Sequence, residues 1–240
     1  MNRFMGMAII FFSVFSGACH NTDNETNDTN YSFEKMNDDN TEMLYLALGD
    51  SYTIGESVEE QLRWPVQLVE RLREDNVNIN DAEIIARTGW TTDELMRAVD
   101  AAEPGNEYDL VSLLIGVNNQ YRGRDLSNFR EELTELIDIA VRSADSVASR
   151  VIVLSIPDWG VMPFAEGRDR DEIAGEIDAF NDVVREECSY AGVKFYDITA
   201  ISRKAANDPS LVAGDALHPS GKMYSMWVDL VYNDVYQLLK

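Results

Sequence analysis

Histidine and cysteine are the scarcest chemistry-bearing residues in this chain. There are two of each among 240 residues, which leaves almost nothing from which to build a zinc or haem site or a disulfide framework. Positive charge is also short. Twenty Lys and Arg stand against 43 Asp and Glu, a formal net charge of -23. That field repels phosphate backbones and anionic lipid headgroups, so it argues against nucleic-acid binding. The apolar run from Phe4 to Phe15 falls short of the roughly 20 residues a bilayer span needs. Phosphate-cradling glycine patterns are missing as well. There is no G-x-G-x-x-G and no G-x-x-x-x-G-K-[ST], and Ser220-Gly221-Lys222 follows Gly214 at the wrong distance. No G-x-S-x-G elbow occurs either, which disfavours the ordinary α/β-hydrolase arrangement.

What is present is enough for a core: 45% hydrophobic residues and 10% aromatics. Residues 1–19 do not belong to it. Arg3 is their only charge, the run to Phe15 is apolar, and small residues Ser16-Gly17-Ala18 precede Cys19. This is the layout of a secretory signal. Ser16-Gly17-Ala18-Cys19 also resembles a bacterial lipobox, with Ser16 where the usual residue is aliphatic. That resemblance implies lipidation of Cys19 and a tether to the cell envelope; simple cleavage implies a periplasmic or secreted product. Residues 20–43 are rich in Asn, Thr, Asp and Glu and bury too little to offset their ordering entropy. They read as a flexible acidic tether.

From Leu44 to the end, residues 44–240 alternate between short apolar runs and amphipathic stretches. Leu44–Leu48, Glu83–Arg87, Leu110–Ile115, Val151–Ile156 and Val193–Tyr196 read as five strands. Helical spacing follows each of them, with Ser127 expected to cap the long helix through Phe129 and Leu136. Strands alternating with helices predict a three-layer α/β/α domain with a mostly parallel five-stranded, flavodoxin-like sheet. Cys188 falls on a helical pattern as a small core residue. In such sheets ligands bind beyond the carboxyl ends of the strands. Those ends carry Gly49-Asp50-Ser51, Arg87-Thr88-Gly89, Gly116-Val117-Asn118-Asn119 and Pro157-Asp158-Trp159-Gly160, with Gly214-Asp215-Ala216-Leu217-His218-Pro219 before the last helix.

Ser51 stands at a strand-to-loop turn, where a hydroxyl becomes a nucleophile only beside a base. His20 lies in the tether, so His218 is the imidazole available to an ordered site. Asp215, three residues earlier, can hold its Nδ1 proton and leave Nε2 free to accept. The Gly89 N–H and the Asn118 amide could stabilise a developing oxyanion. Each feature also has a plain turn or capping role. The apolar 157–168 segment, with Trp159 and Phe164, could line a pocket or tuck into the core, and Trp64 and Trp90 admit the same two roles.

Taken in order, Gly49-Asp50-Ser51-Tyr52, Gly89, Gly116-x-Asn118 and Asp215-x-x-His218-Pro219 resemble the blocks of the SGNH (GDSL-type) hydrolase family. The resemblance covers the chain from about Leu44 to the C-terminus. It implies Ser51 as nucleophile, His218 as base and Asp215 as the orienting acid. It implies an oxyanion hole of the Ser51 N–H, the Gly89 N–H and the Asn118 side chain. One departure is Asn119, where the family usually has Asp. The implied protein is an exported esterase that needs no metal or cofactor and acts on small-molecule, glycan or lipid esters. The competing reading is a non-catalytic surface lipoprotein that binds glycan or peptide on the same fold.

Overall fold

Five strands form one sheet in the order β2-β1-β3-β4-β5, every pair parallel. They are β1 (Tyr45–Gly49), β2 (Glu83–Ala86), β3 (Leu110–Leu114), β4 (Val151–Leu154) and β5 (Lys194–Tyr196). The structure, a computed structural model, describes residues 42–240; the leader, Cys19 and nearly all of the expected tether lie outside the described residues. Strands β1, β3 and β4 are buried at every position, because a parallel strand covered on both faces has no side to give to water. Edge strands differ. Glu83 in β2 and Lys194 in β5 are exposed, and such charges discourage pairing with another sheet. The polar group deepest in the sheet is satisfied internally: Ser112 Oγ and Tyr45 OH are 2.8 Å apart.

The helices are α1 (Ser51–Ile54), α2 (Trp64–Glu74), α3 (Thr92–Ala102), α4 (Val117–Tyr121), α5 (Leu126–Ser143), α6 (Arg170–Ala191), α7 (Thr199–Ser202) and α8 (Gly221–Leu238). α2 packs with α8, while α5 packs with α3 and α6, and these groups cover the sheet to give the expected three-layer α/β/α architecture. Cys188 is buried in α6. Trp64 is fully buried and is a core residue, not a pocket wall. One expectation fails. Ser127 does not cap α5; Asp125 does, its Oδ1 accepting from the Ser127 N–H at 2.8 Å and the Asn128 N–H at 3.3 Å. The carboxylate two residues upstream reaches both orphan amides, which places Ser127 inside the first turn.

Strand order turns around at β1, whose neighbours are β2 on one side and β3 on the other. The crevice beyond the carboxyl ends of β1 and β3 is therefore the topological switch point, where doubly wound sheets take their ligands. Two glycines shape it. A Cβ on Gly49 would lie 2.2 Å from Thr53 Oγ1 and 2.5 Å from the Leu114 carbonyl oxygen, so only glycine lets the β1 turn close against β3. Gly116, with φ of 124°, leaves β3 in a conformation that L side chains rarely adopt. It aims the next residues, α4, back across the crevice.

Candidate active site

Ser51 begins α1 directly beyond β1. Its turn is set by Asp50, whose Oδ1 accepts the Tyr52 N–H at 3.0 Å, while the Asp50 carbonyl accepts the Thr53 and Ile54 amides. Asp50 is fully buried, and its Oδ2 has no partner among the described residues. Burial without compensation disfavours the charged form, and it pushes this carboxyl up to about 7, against the hydrogen bond from Tyr52.

That shift has a sign that can be tested. The folded state keeps its proton on Asp50 up to about pH 7, while the unfolded chain releases it near pH 4, the usual Asp value. The contribution to stability is full below the unfolded value and is lost as pH rises between about 4 and 7. Asp50→Asn keeps the acceptor for Tyr52 and removes the titration. Thermal melts from pH 4 to 8 should therefore show wild type losing ground to Asp50→Asn by up to about 1.4 kcal/mol per pH unit in that window. Parallel curves for the two proteins would refute the assignment.

His218 comes from the loop before α8, and it is mostly buried. Its Nδ1 lies 2.5 Å from Asp215 Oδ2. Asp215 Oδ1 is engaged separately, accepting the Leu217 N–H at 3.0 Å and the His218 N–H at 2.9 Å. So Asp215 both caps its own loop and holds the ring; the two roles considered for it are compatible because it has two oxygens. A third partner was not legible in the sequence. Ser57 Oγ, 158 residues away along the chain, donates to Asp215 Oδ2 at 2.7 Å. Partial burial pushes the Asp215 carboxyl up, but the hydrogen bonds from the His218 ring, the two amides and Ser57 outweigh it and hold the group well below the usual carboxylate range. The Tyr52 ring meets His218 edge-on at 5.5 Å, fixing the other side of the imidazole.

Gly89 and Asn118 approach from the ends of β2 and β3. The Asn118 Nδ2 donates to the Trp90 carbonyl at 2.9 Å, which uses one of its two hydrogens. Arg122, just past α4, donates through Nη2 to the Gly89 carbonyl at 2.6 Å. Together these bonds tie α4 to the loop that carries Gly89.

Ser51, Gly89, Asn118 and His218 line one cavity of about 180 Å³. Neither Ser51 Oγ nor His218 Nε2 has a hydrogen-bond partner among the described residues, so both remain available to groups in that cavity. The rest of its wall is mainly apolar: Tyr52, Val117, Tyr121, Trp159, Phe164 and Leu217, with Thr88. The 157–168 segment serves both roles expected of it. Met162 and Ala165 are fully buried, whereas Trp159 and Phe164 face the cavity. The Trp159 indole is fixed by its Nε1–H donating to Gln120 Oε1 at 2.8 Å, and the segment's base by Asp158, paired with Arg203 Nε at 2.9 Å. Arg168 lies 5.2–5.7 Å from the centroids of Tyr121, Trp159 and Phe164, close enough for cation–π attraction. Trp90 contributes its carbonyl to Asn118 and is not among the cavity's wall residues.

The profile of the GDSL-like Lipase/Acylhydrolase family matches residues 47–226. No curated protein sequence matches this chain. Among solved structures, TesA superposes with a TM-score of 0.64 at 17% identity, covering 82% of this chain and 99% of its own. A psychrotrophic esterase, EstA from Pseudoalteromonas sp., described as inhibited by monoethylphosphonate, gives 0.62 at 17% identity over 81% and 97%. Axe2, an acetylxylan esterase from Geobacillus stearothermophilus, gives 0.62 at 18% identity over 80% and 94%. At these identities the superpositions speak for the fold.

Proposed function

Because the chain belongs to the GDSL-like lipase/acylhydrolase family and is thus an ester-hydrolysing enzyme, we propose that it cleaves carboxylic esters through an acyl-enzyme formed on Ser51. The substrates would be acyl or acetyl esters of carbohydrate or lipid. The observation that carries this reading is the meeting of Ser51, Gly89, Asn118 and His218, from four separated stretches of chain, around one cavity, with Asp215 on the far nitrogen of the imidazole.

The chemistry follows from those positions. A substrate carbonyl enters beside Ser51. His218 Nε2 takes the hydroxyl proton as Oγ attacks the carbonyl carbon, and catalytic hydrogen bonds of this kind commonly tighten only as substrate binds. The C=O electron pair moves to oxygen, where the Ser51 and Gly89 N–H groups and the second Asn118 Nδ2 hydrogen stabilise it. Collapse expels the alcohol, which takes its proton from His218, and leaves the acyl group on Oγ. Water then repeats the sequence and releases the acid. Asp215 stays ionised throughout and stabilises the imidazolium. The aromatic wall of Tyr121, Trp159 and Phe164 suits the carbon face of a sugar ring or an acyl chain.

Export belongs to the same proposal. The leader and Cys19 support an enzyme delivered to the cell envelope, anchored there if Cys19 is lipidated.

A fluorophosphonate probe tests the nucleophile, since it reacts with an activated serine; the phosphonate inhibition of the Pseudoalteromonas esterase supports that choice. Wild type is expected to label and to hydrolyse members of an ester panel, and Ser51→Ala to do neither. Equal labelling of Ser51→Ala would refute the mechanism. Folded wild type that does not label would favour a binding protein on this fold.

A further inference from the structure

Asn119 sits beside the oxyanion donor Asn118 and is fully buried, and its hydrogen bonds form a directed chain. Its Oδ1 accepts the Thr92 backbone N–H at 3.1 Å. A backbone amide can only donate, so this contact fixes which end of the side chain is oxygen. Nδ2 is thereby turned to Thr92 Oγ1, to which it donates at 2.6 Å. The Thr92 hydroxyl, also fully buried, has one hydrogen. With its lone pair engaged by Asn119, it donates that hydrogen to Glu132 Oε2 on α5. Glu132 Oε1 in turn accepts from Asn128 Nδ2 at 3.0 Å. The direction runs one way, from amide to hydroxyl to carboxylate.

This chain and the Asn118–Trp90 bond are parallel ties between the same two segments. One segment is the start of α4, which carries Asn118; the other is residues 90–92, directly after Gly89. The ties set the separation of two oxyanion donors that come from different strands. On the catalytic reading proposed above, we propose that Asn119, Thr92 and Glu132 act as positioning residues for the oxyanion hole, and that Asn119 and Glu132 are a matched pair. Residue 119 must donate to Thr92 because residue 132 must accept from it.

The pairing predicts a reciprocal swap. In Asn119→Asp, two carboxylates face a hydroxyl with a single hydrogen, so one carboxylate oxygen meets a lone pair and the tie opens. Displacements approaching 1 Å at such a site cost up to about 10²-fold. Measured per fluorophosphonate-labelled site and well below the melting temperature, kcat is expected to fall about 30-fold with KM within about twofold, because the donors act mainly on the transition state. Glu132→Gln alone, able to turn its amide oxygen towards Thr92, should lose about threefold. In Asn119→Asp/Glu132→Gln the chain runs backwards: the new amide at position 132 donates to Thr92, and Thr92 donates to the new carboxylate at position 119. The double variant's kcat should return to within about threefold of Glu132→Gln.

Wild-type kcat in Asn119→Asp would overturn the proposal, as would a double variant no better than Asn119→Asp. If Asn119→Asp does not fold, the double variant alone decides: folded and active supports the pairing, unfolded refutes it. The catalytic reading fails separately, if wild type neither labels nor hydrolyses esters. The pairing is then decided by melting temperature, which the second substitution must restore.

Discussion

Replacing His218 with alanine should lower kcat by about 10⁴- to 10⁶-fold, the range seen when one member of a catalytic triad is removed. The size of the loss follows from a scarcity. The chain has one other histidine, His20, and among the residues that line the cavity none but His218 could take the Ser51 proton near neutral pH. Asp215 cannot substitute, since its hydrogen bonds hold it ionised but far too weak a base. Some rate over water should survive, roughly 10³–10⁴, because the oxyanion donors and the cavity remain. The fold should survive too: the ring borders the cavity, and the loop's backbone bonds to Asp215 Oδ1 do not involve it. Purified His218→Ala with a cooperative melt and turnover within tenfold of wild type would remove the histidine from the reaction.

How much of this is legible in the sequence depends on whether the signal is local. Strands β1, β3 and β4 are read from continuous apolar runs because burial on both faces demands them, the edge strands β2 and β5 from shorter runs, and all five ends mark the crevice without any knowledge of packing. Ser51, Gly89 and Asn118 likewise stand just beyond strand ends, and Asp215 and His218 just before the last helix, so their placement is legible locally. Cap identity was harder. Asp125 and Ser127 are both good caps two residues apart, and periodicity does not resolve helix starts that finely. Non-local partners left no trace at all. Ser57 reaches Asp215 across the whole domain, and Asn119 meets Glu132 through Thr92 only because α3 packs on α5. The departure at Asn119 could be noticed from the sequence, but its compensation on another helix could not. Asp50 illustrates a third limit. Gly-Asp-Ser reads as ordinary turn chemistry, and only the depth at which the turn is buried turns its carboxyl into a group that titrates near pH 7.

Asp215→Asn should cost about 10⁴ in kcat, a larger loss than the removal of one hydrogen bond would suggest. The backbone decides the orientation of the new amide. Oδ1 of residue 215 accepts the Leu217 and His218 N–H groups, and only an oxygen can stand there. The amide nitrogen introduced at position 215 must then occupy the place of Oδ2, beside His218 Nδ1 and Ser57 Oγ. From there it donates to Nδ1, which places the imidazole hydrogen on Nε2. An imidazole in that tautomer has nothing with which to accept the Ser51 proton. Asp215→Ala leaves the tautomer free and should be no worse, in the region of about 10⁴. The discriminating measurement is the fluorophosphonate labelling rate of the two variants beside wild type, with the His218 tautomer read from its ring-nitrogen NMR shifts. Asp215→Asn with hydrogen on Nδ1, or labelling within tenfold of wild type, would show that Asp215 does not set the direction of proton flow at Ser51.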